Sequence, residues 1–146
     1  MLSSWDAHLG RGVSCLLFTE DGTHLISGGK DSMIHVWSVP EIVEEKGAAL
    51  LSACLGDVFV GPGGGAGAPP VLCPVHTWSG HSLAVTSLSF FPGHKCGFGA
   101  GATGRLLSTS LDHTVKIWQA GLEQPLATVS MPAPCHCATT DLCSRC

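Results

Sequence analysis

The strongest constraint on the fold is a pattern that occurs twice along the chain. A serine, an aspartate and a tryptophan follow one another at spacings of 4 and then 6 residues, and the second occurrence begins 81 residues after the first. A repeat of this kind indicates two copies of one supersecondary unit that bury apolar surface against each other. The residues concerned are Ser27, Asp31 and Trp37 in the first copy and Ser108, Asp112 and Trp118 in the second.

Each copy has the pattern of three antiparallel strands. An alternating apolar run begins at Val13 or Val85, and strict alternation places Val85 and Leu88 on opposite faces of the strand. A tight Asp-led turn then precedes a strand that is rich in β-branched residues and ends in tryptophan. A histidine, His8 or His81, comes before each first strand. The sequence therefore predicts an all-β fold.

A fourth strand is expected to complete each unit. In the second copy it is predicted at 125–129, reached from the tryptophan strand through the loop "QAGLEQ". In the first copy it is delayed until 74–81, so the segment 40–73 is predicted to be an insertion. That segment begins with proline and acidic residues, which favour a short amphipathic helix, and 61–70 has the composition of a flexible Gly/Pro-rich linker.

Composition narrows the classes of function. The chain has 146 residues, with 7 Lys and Arg against 11 Asp and Glu, a formal net charge of -4. No basic patch is present, so direct binding of nucleic acid is not expected. The sequence has no apolar run long enough for a membrane span and no signal-peptide pattern at its start. We therefore expect its eight cysteines to be reduced thiols of an intracellular protein.

The Ser, His and Asp of each copy also suggest a hydrolytic triad. A nucleophilic serine has to face a substrate pocket, with a histidine base beside it and donors for an oxyanion nearby. Here each serine lies inside a strand, and a tryptophan follows it at the same spacing in both copies, which favours a structural network.

The glycine-rich segment 99–104 has the Gly-x-Gly-x-x-Gly sequence of a dinucleotide-binding loop. A strand follows it where that loop requires a helix.

The end of the chain is rich in cysteine. Four thiols at C-x-C-x5-C-x2-C spacing could bind zinc, but only one C-x2-C knuckle is present. The alternating pattern of "CHCATTDL" favours a strand that begins a third unit, and an unstructured tail is the other alternative. The cysteines concerned are Cys135, Cys137, Cys143 and Cys146.

The repeated residues resemble the WD-repeat family, whose units are four-stranded blades of a β-propeller. Gly80-His81, Asp112 and Trp118 match the blade signature in full, whereas Ala7 replaces the glycine before the first histidine. The resemblance implies a propeller fragment of about two four-stranded blades plus the start of a third, each held by a buried polar network and without a cofactor. The network residues are His8, Ser27, Asp31 and Trp37 in the first blade and His81, Ser108, Asp112 and Trp118 in the second.

The same resemblance assigns segments to blades. The first blade takes 1–39, with the outer strand of a preceding blade at 2–7. The insertion takes 40–73 and the second blade 74–130. The remaining 131–146 begins a third blade or forms a Cys-rich tail.

Longer segments resemble a narrower family. "HTWSGHSLAVTSLSF" and "LLSTSLDHTVKIWQ" are similar to the WD repeat-containing protein 18 family, to which the Ipi-type subunit of the Rix complex is related. That family implies a non-catalytic scaffold for large ribosomal subunit maturation and precursor rRNA processing, with a possible role in chromatin and DNA replication. The alternative is another WD-repeat adaptor, such as a signalling protein or a ubiquitin-ligase substrate receptor.

The narrower family also implies partners and a location. The expected partners are a proline-, glutamate- and leucine-rich scaffold, a testis-expressed helical-repeat protein and the ATPase midasin. The expected location is the nucleus, in both nucleolus and nucleoplasm, away from membranes.

Overall fold

Two four-stranded antiparallel sheets make up the part of the chain that the computed structural model describes, residues 5–43, 72–91 and 104–138. In each sheet the strands are neighbours in chain order. The all-β fold class is therefore confirmed. Sheet 1 contains β1 (Val13–Phe18), β2 (His24–Gly29), β3 (Met33–Ser38) and β4 (His76–Ser79), and sheet 2 contains β5 (Val85–Phe90), β6 (Arg105–Ser110), β7 (Thr114–Gln119) and β8 (Ala127–Ser130).

Sheet 1 is completed across the insertion. The helix α1 (Val39–Val43) follows β3 directly, and 44–71 lies outside the described residues. The chain then returns as β4, which pairs with β3 so that Trp78 lies opposite Ile34. Within the described residues, no helix is long and apolar enough to cross a membrane.

The first strand of each sheet carries an irregularity near its start. The register shifts between Val13 and Cys15 in β1 and between Val85 and Ser87 in β5. Val85 and Leu88 are consequently both buried, at 0% and 9% exposure. Strict alternation was therefore a wrong prediction for β5, because a bulge adds one residue and changes which face the following side chains occupy.

The two sheets share one apolar core. Its centre contains the ring of Trp78, which stacks on Trp118 with 5.6 Å between ring centroids. Burial of each large apolar side chain stabilises the fold by about 1.5–3 kcal/mol, so this core holds the sheets together. The buried members are Ile26, Ile34, Val36 and Trp78 from sheet 1 and Val85, Leu88, Leu106 and Trp118 from sheet 2.

At the amino-terminal end, the predicted outer strand of a preceding blade falls only partly on described residues. Residues 5–7 take no strand conformation, and 2–4 lie outside the described residues. An outer strand needs the inner strands of its own blade as pairing partners. The assignment of 2–7 to the outer strand of a preceding blade therefore stays a prediction.

After β8 the chain returns to sheet 2. The amide of Cys135 donates to the Ser110 carbonyl at 3.3 Å, and the Thr86 hydroxyl donates to the Cys135 carbonyl at 2.6 Å. In sheet 1 the Ser14 hydroxyl donates in the same way to the Val85 carbonyl. Cys135 thus occupies on sheet 2 the place that Val85 occupies on sheet 1. The third blade expected from residue 131 onward stays a prediction, because 135–138 is not in a strand and 139–146 lies outside the described residues.

Candidate functional site

Sheet 2 brings its four predicted network residues into one chain of hydrogen bonds. The Trp118 indole donates to the Ser108 hydroxyl at 2.7 Å, and that hydroxyl lies 2.7 Å from Nε2 of His81. Nδ1 of His81 lies 2.9 Å from the carboxylate of Asp112. Since His81 precedes β5 and the others come from β6, the β6–β7 turn and β7, the chain of bonds ties every inner strand to the next.

The chemistry of these groups fixes the direction of each bond. An indole N–H can only donate, so the Ser108 oxygen accepts from Trp118 and gives its own proton to Nε2 of His81. The ring is then neutral and carries its proton on Nδ1, from which it donates to Asp112. Every polar atom of the set is satisfied in a place where an unpaired group would be costly.

The charge states follow from the surroundings. Burial lowers the pKa of His81, and this outweighs the attraction of Asp112. Burial would raise the pKa of Asp112, but hydrogen bonds from Thr114, the Ser82 amide and His81 hold it well below its ordinary value. The network therefore combines a neutral histidine with an ionised aspartate at neutral pH.

The aspartate also shapes the turn that precedes β7. Its Oδ1 accepts a 2.9 Å hydrogen bond from the Thr114 amide, and His113 between them has a φ of 66°. In sheet 1 the Asp31 carboxylate accepts from the Met33 amide at 3.1 Å, across Ser32 with a φ of 67°. A short polar side chain that bonds to the backbone two residues later is a standard way to hold such a turn.

Sheet 1 repeats the network. The Trp37 indole donates to the Ser27 hydroxyl at 2.9 Å, and Nε2 of His8 lies 2.9 Å from the same oxygen. Nδ1 of His8 lies 2.9 Å from both carboxylate oxygens of Asp31. All eight predicted residues thus come together as two sets of four.

This geometry is unsuited to nucleophilic catalysis. Ser27 and Ser108 are 1% and 0% exposed, and each hydroxyl is held between an indole and an imidazole. Each hydroxyl is thus already engaged on both sides within its sheet. The hydrogen bonds link strands of the sheet, which is a structural task.

One cluster in sheet 1 has residue types that bind metals. Ligand atoms of His8, Asp31 and His35 lie within 4.8 Å of one another. Both ring nitrogens of His8 are engaged by Asp31 and Ser27, and Nδ1 of His35 lies 2.9 Å from the Thr77 hydroxyl. We therefore assign the cluster to the hydrogen-bond network. Of the four tail cysteines proposed as zinc ligands, Cys135 is half-buried and Cys137 exposed, while Cys143 and Cys146 lie outside the described residues.

Sequence reasoning missed two tryptophans that belong to these sets. Trp78 stacks on Trp118, and Trp5 packs against Trp37 with the same 5.6 Å between centroids. Trp5 lies three residues before His8, as Trp78 lies three residues before His81. This W-x-x-H spacing was a signal available in the sequence.

The two tryptophan pairs differ in detail. The Trp78 indole donates to the Leu122 carbonyl at 2.7 Å, four residues after Trp118. Four residues after Trp37 the chain is already in α1, and the buried indole nitrogen of Trp5 has no acceptor among the described residues. The insertion helix thus replaces the loop that supplies this acceptor in sheet 2.

Comparison with known proteins identifies the repeated unit. The family model described as WD domain, G-beta repeat matches residues 1–38 and 72–119. The chain belongs to the WD-repeat family. Sheets 1 and 2 are two WD blades, and the two hydrogen-bonded sets are their internal networks.

Among curated WD-repeat relatives, the chain is 34% identical over 130 residues to WD repeat-containing protein 18 of Homo sapiens. It is 30% identical over 148 residues to pre-rRNA-processing protein IPI3 of Mycosarcoma maydis. These matches cover 89% and 99% of this chain but only 24% and 22% of the relatives. The chain therefore spans about a quarter of the length of these relatives.

A solved structure confirms the propeller fold. The β-propeller domain of Cps50 (Swd1) from Myceliophteria thermophila superposes with a TM-score of 0.55 at 20% identity. The match covers 91% of this chain and 28% of that one. Two WD blades of the chain thus correspond to part of a propeller.

Proposed function

We propose that this chain is part of a non-catalytic WD-repeat scaffold that acts in maturation of the large ribosomal subunit and in processing of precursor rRNA. The observation that carries the proposal is the similarity of nearly the whole chain to a protein named for pre-rRNA processing, at 30% identity over 148 residues. A second such protein, crb3/ipi3 of Schizosaccharomyces pombe, is 23% identical over 91% of the chain.

The site geometry supports a scaffold rather than an enzyme. Both serines that resemble nucleophiles are buried and hydrogen-bonded within a blade. The acidic groups nearest to them, Asp31 and Asp112, are bound to histidine rings. Such a blade offers rigid surfaces for protein partners, and its recurring polar residues serve the fold.

The proposed partners are proteins of a pre-ribosomal complex, namely the proline-, glutamate- and leucine-rich scaffold, the testis-expressed helical-repeat protein and midasin. The proposed location is the nucleus, in nucleolus and nucleoplasm. A formal charge of -4 and the lack of a basic patch favour contact with rRNA through partners. A role in chromatin or DNA replication stays a prediction of the family resemblance.

Affinity purification tests the proposal. The tagged chain is recovered from nuclear extract of its own cells, and the co-purifying proteins and precursor rRNA are quantified. We expect large-subunit assembly proteins together with spacer-containing precursor rRNA. The control bait carries Trp118→Ala, which removes a fully buried member of the core and should lose both. Recovery of signalling or ubiquitin-ligase components without any pre-ribosomal material would favour the general adaptor instead.

A further inference from the structure

The His–Asp pair of sheet 1 lies beside a third group that sheet 2 lacks. Ligand atoms of His8, Asp31 and His35 lie within 4.8 Å of one another. Strand pairing gives sheet 2 Lys116 at the position of His35, and its ammonium group donates to the Thr128 hydroxyl at 3.1 Å. An imidazole has a lone pair for a metal ion, whereas a lysine ammonium has none. Sheet 1 therefore gathers three metal-binding groups where sheet 2 has two.

The carboxylate of sheet 1 also has more unused lone pairs. Besides the bond from its histidine, Asp112 accepts hydrogen bonds from the Ser82 amide and from both the amide and the hydroxyl of Thr114. Among the described residues, Asp31 accepts only one besides the bond from its histidine, from the Met33 amide. A carboxylate has about four lone-pair sites, so Asp31 can still serve a further ligand.

A glycine keeps space open beside this pair. A methyl group built on Gly29 would lie 2.5 Å from Oδ1 of Asp31 and closer still to Nδ1 of His8. The corresponding residue of sheet 2 is Ser110, which is fully buried and donates its hydroxyl proton to the Leu83 carbonyl. Sheet 1 therefore has no side chain at a point that adjoins both ligand atoms, where sheet 2 has one.

Each histidine of the cluster also has a hydroxyl at one ring nitrogen. Nε2 of His8 lies 2.9 Å from the Ser27 oxygen, and Nδ1 of His35 lies 2.9 Å from the Thr77 oxygen. A histidine that binds a metal through one nitrogen almost always donates a hydrogen bond from the other. The Ser27 oxygen has two lone pairs, so it can accept from His8 as well as from Trp37. With protons on these two nitrogens, Nδ1 of His8 and Nε2 of His35 keep lone pairs for a metal.

We propose that His8, Asp31 and His35 form a binding site for a zinc ion, which takes the place of the proton between His8 and Asp31. The hydrogen-bond network and the ion use the same groups: when zinc binds Nδ1 of His8, the ring carries its proton on Nε2 and donates it to Ser27. Two imidazoles and a carboxylate are ligands that Zn²⁺ prefers, and three protein ligands leave a fourth position for water.

The site needs only a small movement to close around the ion. Ligand atoms of a tetrahedral zinc site lie about 3.3 Å apart, because each bond is about 2.0–2.1 Å long. The present limit of 4.8 Å therefore has to shrink by at most about 1.5 Å. His35 is half-buried, so rotation of its side chain supplies this movement. The bound ion joins the loop before β1, the β2–β3 turn and β3.

Zinc binding to the whole chain tests the proposal, with affinity and stoichiometry measured by competition with a chromophoric chelator. His35→Lys gives sheet 1 the residue type that sheet 2 has at Lys116, so the variant should fold and lose the site. Thr77→Val keeps all three ligands but removes the hydroxyl beside His35, and should weaken binding by about 10–100-fold. The matched control is His113→Asn, because His113 is an exposed histidine outside the cluster.

The cysteines near the end of the chain are competing zinc ligands, so each protein is also made with serine at all four of these positions. We expect the serine-substituted chain to keep one zinc ion and its His35→Lys version to lose that ion. A measurement on the chain without any histidine substitution uses ¹⁵N-labelled histidine, and zinc should shift the ring-nitrogen signals of two histidines. The four positions are Cys135, Cys137, Cys143 and Cys146.

Three results would overturn the proposal. Zinc affinity that His35→Lys leaves unchanged would show that the ion does not use this histidine. Complete loss of zinc binding on serine substitution of the four cysteines, with the fold intact, would place the ion at those cysteines instead. Histidine ring signals that stay unchanged at saturating zinc would exclude the site without recourse to any variant.

Discussion

The indole N–H of Trp78, in the last strand of sheet 1, donates a 2.7 Å hydrogen bond to the backbone oxygen of Leu122, in the loop between β7 and β8. The same ring stacks on Trp118, the residue that begins the hydrogen-bond chain of sheet 2. One side chain therefore connects the outer strand of the first blade with both the loop and the network of the second. Cooperation between the two blades should depend on it.

Two substitutions at Trp78 should separate the effect of its hydrogen bond to Leu122 from the effect of its stacking on Trp118. Trp78→Phe keeps an aromatic ring against Trp118 but removes the hydrogen bond to the Leu122 carbonyl, at a cost of about 0.5–1.5 kcal/mol. Trp78→Ala also removes the ring from a fully buried place and should cost about 3–5 kcal/mol. Urea denaturation followed by tryptophan fluorescence measures both. Equal stability of Trp78→Ala and the wild type would contradict the proposed role of this ring.

Removal of the Ser108 hydroxyl should break the network at its centre. Ser108→Ala leaves the indole N–H of Trp118 without an acceptor and Nε2 of His81 without a donor. Each of these two buried unpaired groups costs about 1–3 kcal/mol, so the free energy of unfolding should fall by about 2–6 kcal/mol. The control is Ser82→Ala, because exposed Ser82 contributes only its backbone amide to Asp112. If both variants unfold at the same urea concentration, Ser108 is not a network residue.

Gly80 should tolerate no side chain. A methyl group built there lies 2.7 Å from Cη2 of Trp118, a ring whose N–H donates to Ser108 and whose face stacks on Trp78. Gly80→Ala should therefore destabilise the chain by about 1–3 kcal/mol through overpacking. At Gly12 the nearest side-chain atom is 3.9 Å away, so Gly12→Ala should change the thermal midpoint little. A Gly80→Ala variant as stable as Gly12→Ala would show that the ring can move aside.

The repeat predicted most of this arrangement because its spacing reflects strand geometry directly. Both copies have the same spacing from serine to aspartate and from aspartate to tryptophan. This spacing locates the second strand, the turn and the third strand of each sheet. The delayed position of β4 could also be predicted, since the first copy lacked a fourth strand until the Trp78 segment. The network residues were found for the same reason.

The bulges in β1 and β5 could not be predicted, because their sequences show ordinary alternation and neither contains a glycine at the irregular position. The pairing of Trp5 with Trp37 and of Trp78 with Trp118 depends on how one blade packs on the next. Local periodicity does not report that packing. Only the W-x-x-H spacing pointed to it.

Stability should decrease in mild acid. Burial keeps the pKa of His81 below its ordinary value of 6.5 in the folded chain. Below about pH 6.5 the unfolded chain therefore takes up a proton that the folded chain does not, and the free energy of unfolding falls by up to about 1.4 kcal/mol per pH unit for one such histidine. The pKa of His35 is also lowered by burial, so it adds an effect of the same sign. The lowered pKa of Asp112 adds a further loss below about pH 3.8.

Urea denaturation at several pH values measures this dependence. His81→Asn removes one titrating group and should flatten the decrease between neutral pH and mild acid. His113→Asn is the control, because His113 is exposed and outside the network, and its slope should match the wild type. Stability that rises on acidification would contradict a neutral buried His81.

The measurement that tests the central claim most directly is pulse labelling of rRNA in cells from which this protein is depleted. The labelling reports how precursor rRNA is processed. We expect spacer-containing precursors of the large subunit to accumulate while small-subunit rRNA matures normally. Re-expression of the protein from a depletion-resistant transcript should restore processing. Unchanged large-subunit precursors after efficient depletion would contradict the proposed role in ribosome assembly.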